Sequence, residues 1–549
     1  MALLKDLESS LSSGLIAQHL DLAELRDVSP KDLAVGFLLI IAIFLTGFYL
    51  VPLVQSFLFS PLRRIPGPLL ARVTRWWEYR LVTKGDSNLQ YIRLHKKYGE
   101  CIPPIAFFQL TDEIYSGPVV RVGPNRYSVS QPKDVKAIYE LGGKFTKSDY
   151  YKPLLNPKPD EQNIFPIQDN ERHKERRRRI SPLYTMSSMV SYEPAVDGMT
   201  NVCIRKLYQF AEEGRLIDIP HWMQYYAFDV IGEITFNKSF NMMENEGDTS
   251  GMIPGIREAN DFLAFLGVVP NLVPWVLGLS AALGRKSNTS VLVSYTFGQI
   301  NKNREANAHS TTKDTKKYDT FLKKVLDMEA EGRLKLPNVL DACGSNIGAG
   351  SDTTAVTLSS ALYYLYSNPV KLEKLRQEID SKATDGSISD PVTFQEAQNM
   401  TYLQAVMKES LRLHPAVGTI LPRVVPRGGM ELSGHYFPEG TEVGVNAWVL
   451  HYSKDIYGPD PQVFRPERWI GDEKTSIMGS MMFAFGAGSR TCIGRNISLL
   501  EMTKVIPQIV RKFDLVLEHP GKPMDTTCAW FVYPHYNGRF KVRGTKTSA

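Results

Sequence analysis

Phe485-Gly486-Ala487-Gly488-Ser489-Arg490-Thr491-Cys492-Ile493-Gly494 is the stretch on which the reading of this chain turns. Its glycines let the chain bend tightly and let backbone approach a flat partner closely. A thiolate that ligates a metal must be shielded and hydrogen-bonded by backbone amides, and a loop of this kind can do both. Arg490, two residues before Cys492, can reach a carboxylate on the edge of a cofactor. The bland alternative is a small buried hydrophobe, which is what most lone cysteines are.

The chain around this loop has 549 residues, 43% of them hydrophobic and 22% charged, which suits a globular protein with a sizeable core. A net charge of +6 is too weak to indicate nucleic acid. It suits an acidic protein partner or an anionic membrane surface. Cys101, Cys203, Cys343, Cys492 and Cys528 are scattered and form no CxxC pair. Neither a zinc site nor a disulfide framework is expected, and a reducing compartment fits.

No charged residue occurs between Leu33 and Leu62, and that length spans a bilayer as a helix. Arg63, Arg64, Arg72, Arg75 and Arg80 follow it, whereas acidic residues outnumber Lys5, Arg26 and Lys31 before it. The positive-inside bias puts the C-terminal body in the cytosol. The division expected is a luminal tail over 1–32, a transmembrane anchor over 33–58 and a catalytic body over 59–549. Arg63-Arg64-Ile65-Pro66-Gly67-Pro68 is a hinge, because proline ends the helix.

Helical periodicity marks 85–100 and 133–141, and alternation over 117–130 predicts a small sheet. From about 170 to 380 the pattern is mostly helical, and strand-like pieces return at 419–426, 430–437 and 528–543. The apolar stretch Phe262 to Leu279, broken by Pro270 and Pro274, reads equally as a membrane-surface segment or a core helix pair. Residues 309–318 are polar and read as an exposed loop. The sum is one large, mainly α domain with minor β sheets.

Three further clusters carry chemistry. Ala349-Gly350-Ser351-Asp352-Thr353-Thr354 lies in a helical run from about Leu340 to Tyr366, where glycine costs about 1 kcal/mol of helix stability. An acid followed by an alcohol can pass protons; a helix N-cap is the bland reading. Glu409 and Arg412 share a helix face at i,i+3 and can pair. His173 and Arg177 face the same way in the basic run His173 to Arg179.

With Phe485, Gly488, Arg490, Cys492 and Gly494 all in place, the loop resembles the haem-binding loop FxxGxRxCxG of the cytochrome P450 family. The resemblance covers roughly residues 60–545, with the other signatures in order. It implies the cytochrome P450 fold behind a single N-terminal transmembrane helix. It makes Cys492 the axial thiolate of haem b iron, a ligand that favours O–O cleavage. Phe485, Arg490, His173 and Arg177 become haem-binding residues; the family commonly has Trp where His173 stands, so Arg177 carries over more safely. Thr353 would steady dioxygen over the haem while Asp352 relays protons. Glu409, Arg412 and Arg468, the last from Phe464-Arg465-Pro466-Glu467-Arg468-Trp469, match the family's structural triad.

The expected activity is monooxygenation of a lipophilic small molecule by hydroxylation or oxidative demethylation, with O₂ and with NADPH electrons from a separate reductase. The chain resembles filamentous-fungal members that serve secondary-metabolite biosynthesis or detoxification. The expected location is the endoplasmic reticulum membrane, single-pass, with the catalytic domain cytosolic and no nucleic acid bound. Substrate-facing segments by analogy are Phe145–Phe165, Gly344–Thr353, Ala416–Pro422 and Trp530–Tyr533. The rivals are a haem-thiolate isomerase or dehydratase that needs no O₂, against which Asp352 and Thr353 argue, and a non-catalytic haem-binding protein.

Glu100 to Ser116 departs from the family, whose members run straight from a segment like Leu94–Gly99 into one like Pro118–Pro124. Fusing Gly99 with Gly117 restores Tyr-Gly-Pro-Val-Val. The reading favours a translated, unspliced intron over a long surface loop, although loop entropy would tolerate the loop.

Overall fold

The computed structural model describes residues 58–99, 118–284, 289–309, 318–471 and 474–544, with single residues and short runs between 31 and 54. The expected tail over 1–32, the polar loop over 309–318 and the insertion Glu100–Ser116 lie wholly or almost wholly outside the described residues. The expected anchor over 33–58 is described only in part. Among the described residues no single helix is long and apolar enough to cross a membrane.

The helices around the site are α1 (Ser87–Gly99), α2 (Pro132–Tyr139), α3 (Asn170–Ile180), α4 (Ile219–Phe236), α5 (Met252–Leu266), α6 (Val273–Ala282), α7 (Leu336–Tyr366), α8 (Thr401–Leu413) and α9 (Arg495–Lys512). The strands are β1 (Val119–Gly123), β2 (Arg126–Val129), β3 (Thr146–Lys147), β4 (Ile217–Asp218), β5 (Arg423–Val424), β6 (Met430–Leu432), β7 (His435–Phe437), β8 (Glu442–Gly444), β9 (Phe513–Leu517), β10 (Asp525–Cys528), β11 (Val532–His535) and β12 (Asn537–Val542). The architecture is mainly α with minor sheets, as the periodicity predicts.

α7 forms the spine. Val339, Cys343, Leu358 and Leu362 bury along it against apolar side chains of α4, α8 and α9. Pro337 sits in its first turn, where a missing N–H costs nothing, so the helix begins four residues before the expected Leu340. A five-stranded sheet in the order β1-β2-β8-β5-β3 lies beside this core, with β2 and β8 parallel and the other pairs antiparallel. The hinge docks on its edge: Arg121 N–H donates to Pro66 O at 2.8 Å. A Cβ on Gly67 would lie 2.4 Å from Arg121 O, so only glycine allows that approach.

The apolar stretch after residue 262 divides. Leu263 and Ala264 of α5 bury in the core, whereas α6 buries only Val273. Trp275 is 79% exposed, with Leu277, Leu279 and Leu283 also exposed. A core helix pair therefore describes α5 and not α6, and the two helical segments meet at a bend of 115°.

Glu409 and Arg412 on α8 are both 0% exposed, so this is no surface pair. Arg412 grips both carboxylate oxygens of Glu409 at 2.8 Å, and Arg468 Nε donates to Glu409 Oε1 at 2.8 Å. Trp469 Nε1 adds a fourth donor at 2.8 Å and the Arg465 backbone N–H a fifth at 3.0 Å. A buried charge survives when every lone pair finds a donor. Removing it leaves the Arg412 guanidinium without a carboxylate and Arg468 with only Asp460 at 3.6 Å. Glu409→Ala is expected to lower stability by about 3–5 kcal/mol in chemical denaturation; an unchanged midpoint would contradict this account of the triad.

Candidate active site

The cysteine loop is held at both ends. Cys492 N–H donates to Phe485 O at 2.8 Å, and Gly486 N–H to Phe483 O at 2.9 Å. Gly486 and Gly488 take φ of 66° and 63°, the left-handed region where glycine is at ease. A Cβ on Gly488 would lie 1.6 Å from Tyr139 O, so the loop rests directly on the end of α2. Beyond it the chain enters α9, and the backbone amides of Gly494 and Arg495 act on the thiol.

Cys492 is exposed by surface area, yet burial is the largest influence on its thiol, raising it, while those amides and Arg177 lower it. Both hold together if the sulfur opens into an interior cleft. Amides aimed at the sulfur favour its thiolate form.

One side of this cleft is crowded with cations. Lys147 and Arg423 are each 5% exposed, and Arg490 and Arg177 are half-buried. Among the described residues none of the four has an ion-paired carboxylate. Arg490 instead donates to the backbone oxygens of Ile167 and Gln168 and to Asn170 Oδ1, and Arg177 donates to Thr491 O at 2.8 Å. Lys147 Nζ lies 3.8 Å from the centroid of the Phe165 ring and 4.1 Å from that of Tyr151. Burial pushes Arg490 down to about 10 and Lys147 well below its usual value, with Arg423 adding repulsion at both. His173 is buried and pushed down to about 3, chiefly by burial and then by Arg490 and Lys147. Like charges gathered out of water are costly unless an anion completes them. A flat cofactor with anionic groups on one edge and an iron over Cys492 fits this donor set.

The sequence motifs supply Cys492, Phe485, Arg490, His173 and Arg177. Lys147 and Arg423 were missed, because β3 and β5 have two residues each and pair across the sheet with no local pattern. The four segments expected to face substrate do converge. Tyr151 packs on Phe165 at 5.5 Å, Phe165 on Trp530 at 6.2 Å, and Gly418 N–H donates to Trp530 O at 3.0 Å. Asn163 ties this wall to α7 through Asp341 and Ser345.

On α7 the two residues expected to handle protons point differently. Thr353 is half-buried, and its hydroxyl donates to Ala349 O at 2.8 Å. Asp352 is 1% exposed, and its carboxylate accepts from Gln224 Nε2 at 2.7 Å and Tyr533 OH at 2.9 Å. Burial pushes Asp352 up, and those two donors hold it back.

A cytochrome P450 profile matches residues 87–542. The chain belongs to the cytochrome P450 family. It is 42% identical over 506 residues to a pisatin demethylase of Fusarium vanettenii, covering 92% of this chain and 93% of that protein. A second pisatin demethylase of that fungus is 42% identical over 509 residues, covering 92% of this chain and 96% of that protein. A cytochrome P450 monooxygenase of Aspergillus terreus is 34% identical over 479 residues, covering 85% and 92%. The chain is thus a cytochrome P450 monooxygenase, an oxidoreductase, and the family implies a haem with a cysteine thiolate ligand.

His451 was also missed, and it joins this P450's triad to its cysteine loop. Its Nδ1–H donates to Arg412 O at 2.9 Å, and its Nε2 accepts from Phe483 N–H at 2.8 Å. Burial, and then Arg412, push its imidazole from 6.5 to about 3. Between those values the unfolded chain holds a proton that the native state refuses, so stability falls as pH falls. His451→Gln should flatten the dependence of unfolding free energy on pH across this window by about 1.4 kcal/mol per pH unit. Denaturation curves at several pH values read this directly; an unchanged slope would contradict a neutral His451.

Proposed function

We propose that this protein is a haem-thiolate monooxygenase with Cys492 as the iron ligand, acting on a lipophilic small molecule by hydroxylation or oxidative demethylation. The observation that carries the reading is the pairing of the amide-cradled Cys492 with the uncompensated cations Lys147, Arg177, Arg423 and Arg490. These residues would hold haem b by its iron and its propionates, with His173 and Phe485 beside it. Bound there, the haem activates O₂, and a thiolate ligand favours O–O cleavage. Tyr151, Phe165 and Trp530 offer aromatic faces and edges to a substrate. They suit a planar aromatic compound. Together with the demethylase relatives this favours aryl methyl ethers, in fungal secondary metabolism or detoxification. With haem bound, the Thr353 hydroxyl would serve oxygen binding and Asp352 would supply protons.

The balance is one O₂, one NADPH and one proton consumed, one oxygen atom inserted and one water released. Electrons come from a separate NADPH–P450 reductase, docking on the basic run of α3. The exposed Trp275, Leu277 and Leu279 of α6 and the apolar run from Leu33 support attachment to the endoplasmic reticulum membrane with the catalytic domain cytosolic. Glu100–Ser116 is read as a translated intron, because fusing Gly99 with Gly117 restores Tyr-Gly-Pro-Val-Val. A mature transcript retaining those codons would overturn that.

With reductase, NADPH and isotopically labelled O₂, one labelled atom is expected in the products of a methoxyarene. NADPH- and O₂-independent turnover would contradict the monooxygenase reading. Thr353→Ala should keep consuming NADPH while losing product and releasing hydrogen peroxide; undiminished coupling would remove its assigned role.

A further inference from the structure

Asp352 does not face the same space as Thr353's hydroxyl. It lines the inner end of a narrow surface cleft between α4, α7 and β11. The outer rim is polar and exposed: Asp218, His221, Arg257 and His535. Asp218 Oδ2 and His221 Nδ1 pair at 2.8 Å, and His535 Nε2 lies 2.7 Å from Thr527 Oγ1. The inner end is Asp352 with its two donors, and the Arg257 guanidinium lies 4.5 Å from the centroid of the Tyr533 ring. Ala355 and Val356 add apolar surface, and the polar groups of the rim and of the inner end share the one cleft.

We propose that this cleft is the proton entrance of the enzyme, with Tyr533 passing protons to Asp352 and Gln224 fixing the carboxylate in place. This rests on the monooxygenase reading, which requires protons from solvent. The two donors are not equivalent. A phenol can release its proton to Asp352 Oδ2 while accepting another on the same oxygen from cleft water, so one O–H bond breaks as another forms. An amide at Gln224 holds but does not pass. Protons therefore enter between α4 and the C-terminal strands, away from the aromatic wall of Tyr151, Phe165 and Trp530. Water can be excluded around substrate without cutting the proton supply. The exposed Asp218–His221 pair exchanges protons with solvent at the mouth.

The test uses haem-loaded full-length protein with reductase and methoxynaphthalene as probe. Tyr533→Phe is expected to slow single-turnover product formation roughly 10–100-fold. It should also raise the H₂O/D₂O rate ratio. Gln224→Met should weaken coupling without raising that ratio. An infrared arm needs no turnover: the Asp352 carboxyl band, assigned by its loss in Asp352→Asn, should shift in Tyr533→Phe. A Tyr533→Phe protein with wild-type rate, wild-type isotope ratio and an unshifted band overturns the entrance. If wild type forms no product from methoxynaphthalene while the band shifts, the aryl methyl ether reading fails and the Tyr533–Asp352 contact stands.

Discussion

The Glu409 carboxylate, sealed from water on α8, is surrounded by five hydrogen-bond donors. Those donors come from α8 itself and from the segment around Arg465–Trp469, so satisfying one charge pins a distant loop to a helix of the core. Arg412 then spends its remaining nitrogen on the carbonyls of His451 and Pro461. His451 returns to Arg412 O and reaches forward to Phe483, two residues before the cysteine loop starts. The position of Cys492 thus follows from a hydrogen-bond chain that begins at a buried carboxylate. A partly satisfied network of this kind is worse than an apolar core, which explains why it involves so many exacting partners.

On the other side of the cleft the logic reverses. Lys147, Arg423, Arg490 and Arg177 are cations brought together with backbone oxygens, aromatic rings, the Tyr151 hydroxyl and the Asn170 amide oxygen as partners and, among the described residues, no ion-paired carboxylate. Repulsion there opposes folding, and an anionic cofactor edge relieves it. A ligand that binds only the native state adds stability in proportion to the logarithm of its concentration over its dissociation constant. On the proposed reading, haem binding and folding would be coupled through these four side chains as well as through the thiolate.

Much of this was legible in the sequence because it is local. The cysteine loop, the i,i+3 pair of Glu409 and Arg412 and the Asp352–Thr353 dipeptide are short patterns whose geometry follows from helix or turn spacing. The small sheet expected over 117–130 appears as β1 and β2, and the strand-like piece 430–437 as β6 and β7. The expected strand over 419–426 shrinks to Arg423–Val424, and β9 escaped notice because it continues from α9 without a turn residue. Lys147, Arg423, His451, Gln224 and Tyr533 were not legible, since each acts through partners far along the chain. Gln224 and Tyr533 meet Asp352 across 128 and 181 residues. The direction of Asp352, away from Thr353's side of α7, depends on those contacts and on nothing in the dipeptide itself.

The central claim is that Cys492 ligates haem iron as a thiolate. The carbon-monoxide difference spectrum of the reduced, haem-loaded protein tests it most directly. The account predicts the red-shifted Soret band of a thiolate-ligated complex in wild type and its loss in Cys492→His, with haem still bound. A wild-type spectrum of the unshifted, nitrogen-ligated kind, or a red-shifted band that survives Cys492→His, would contradict it.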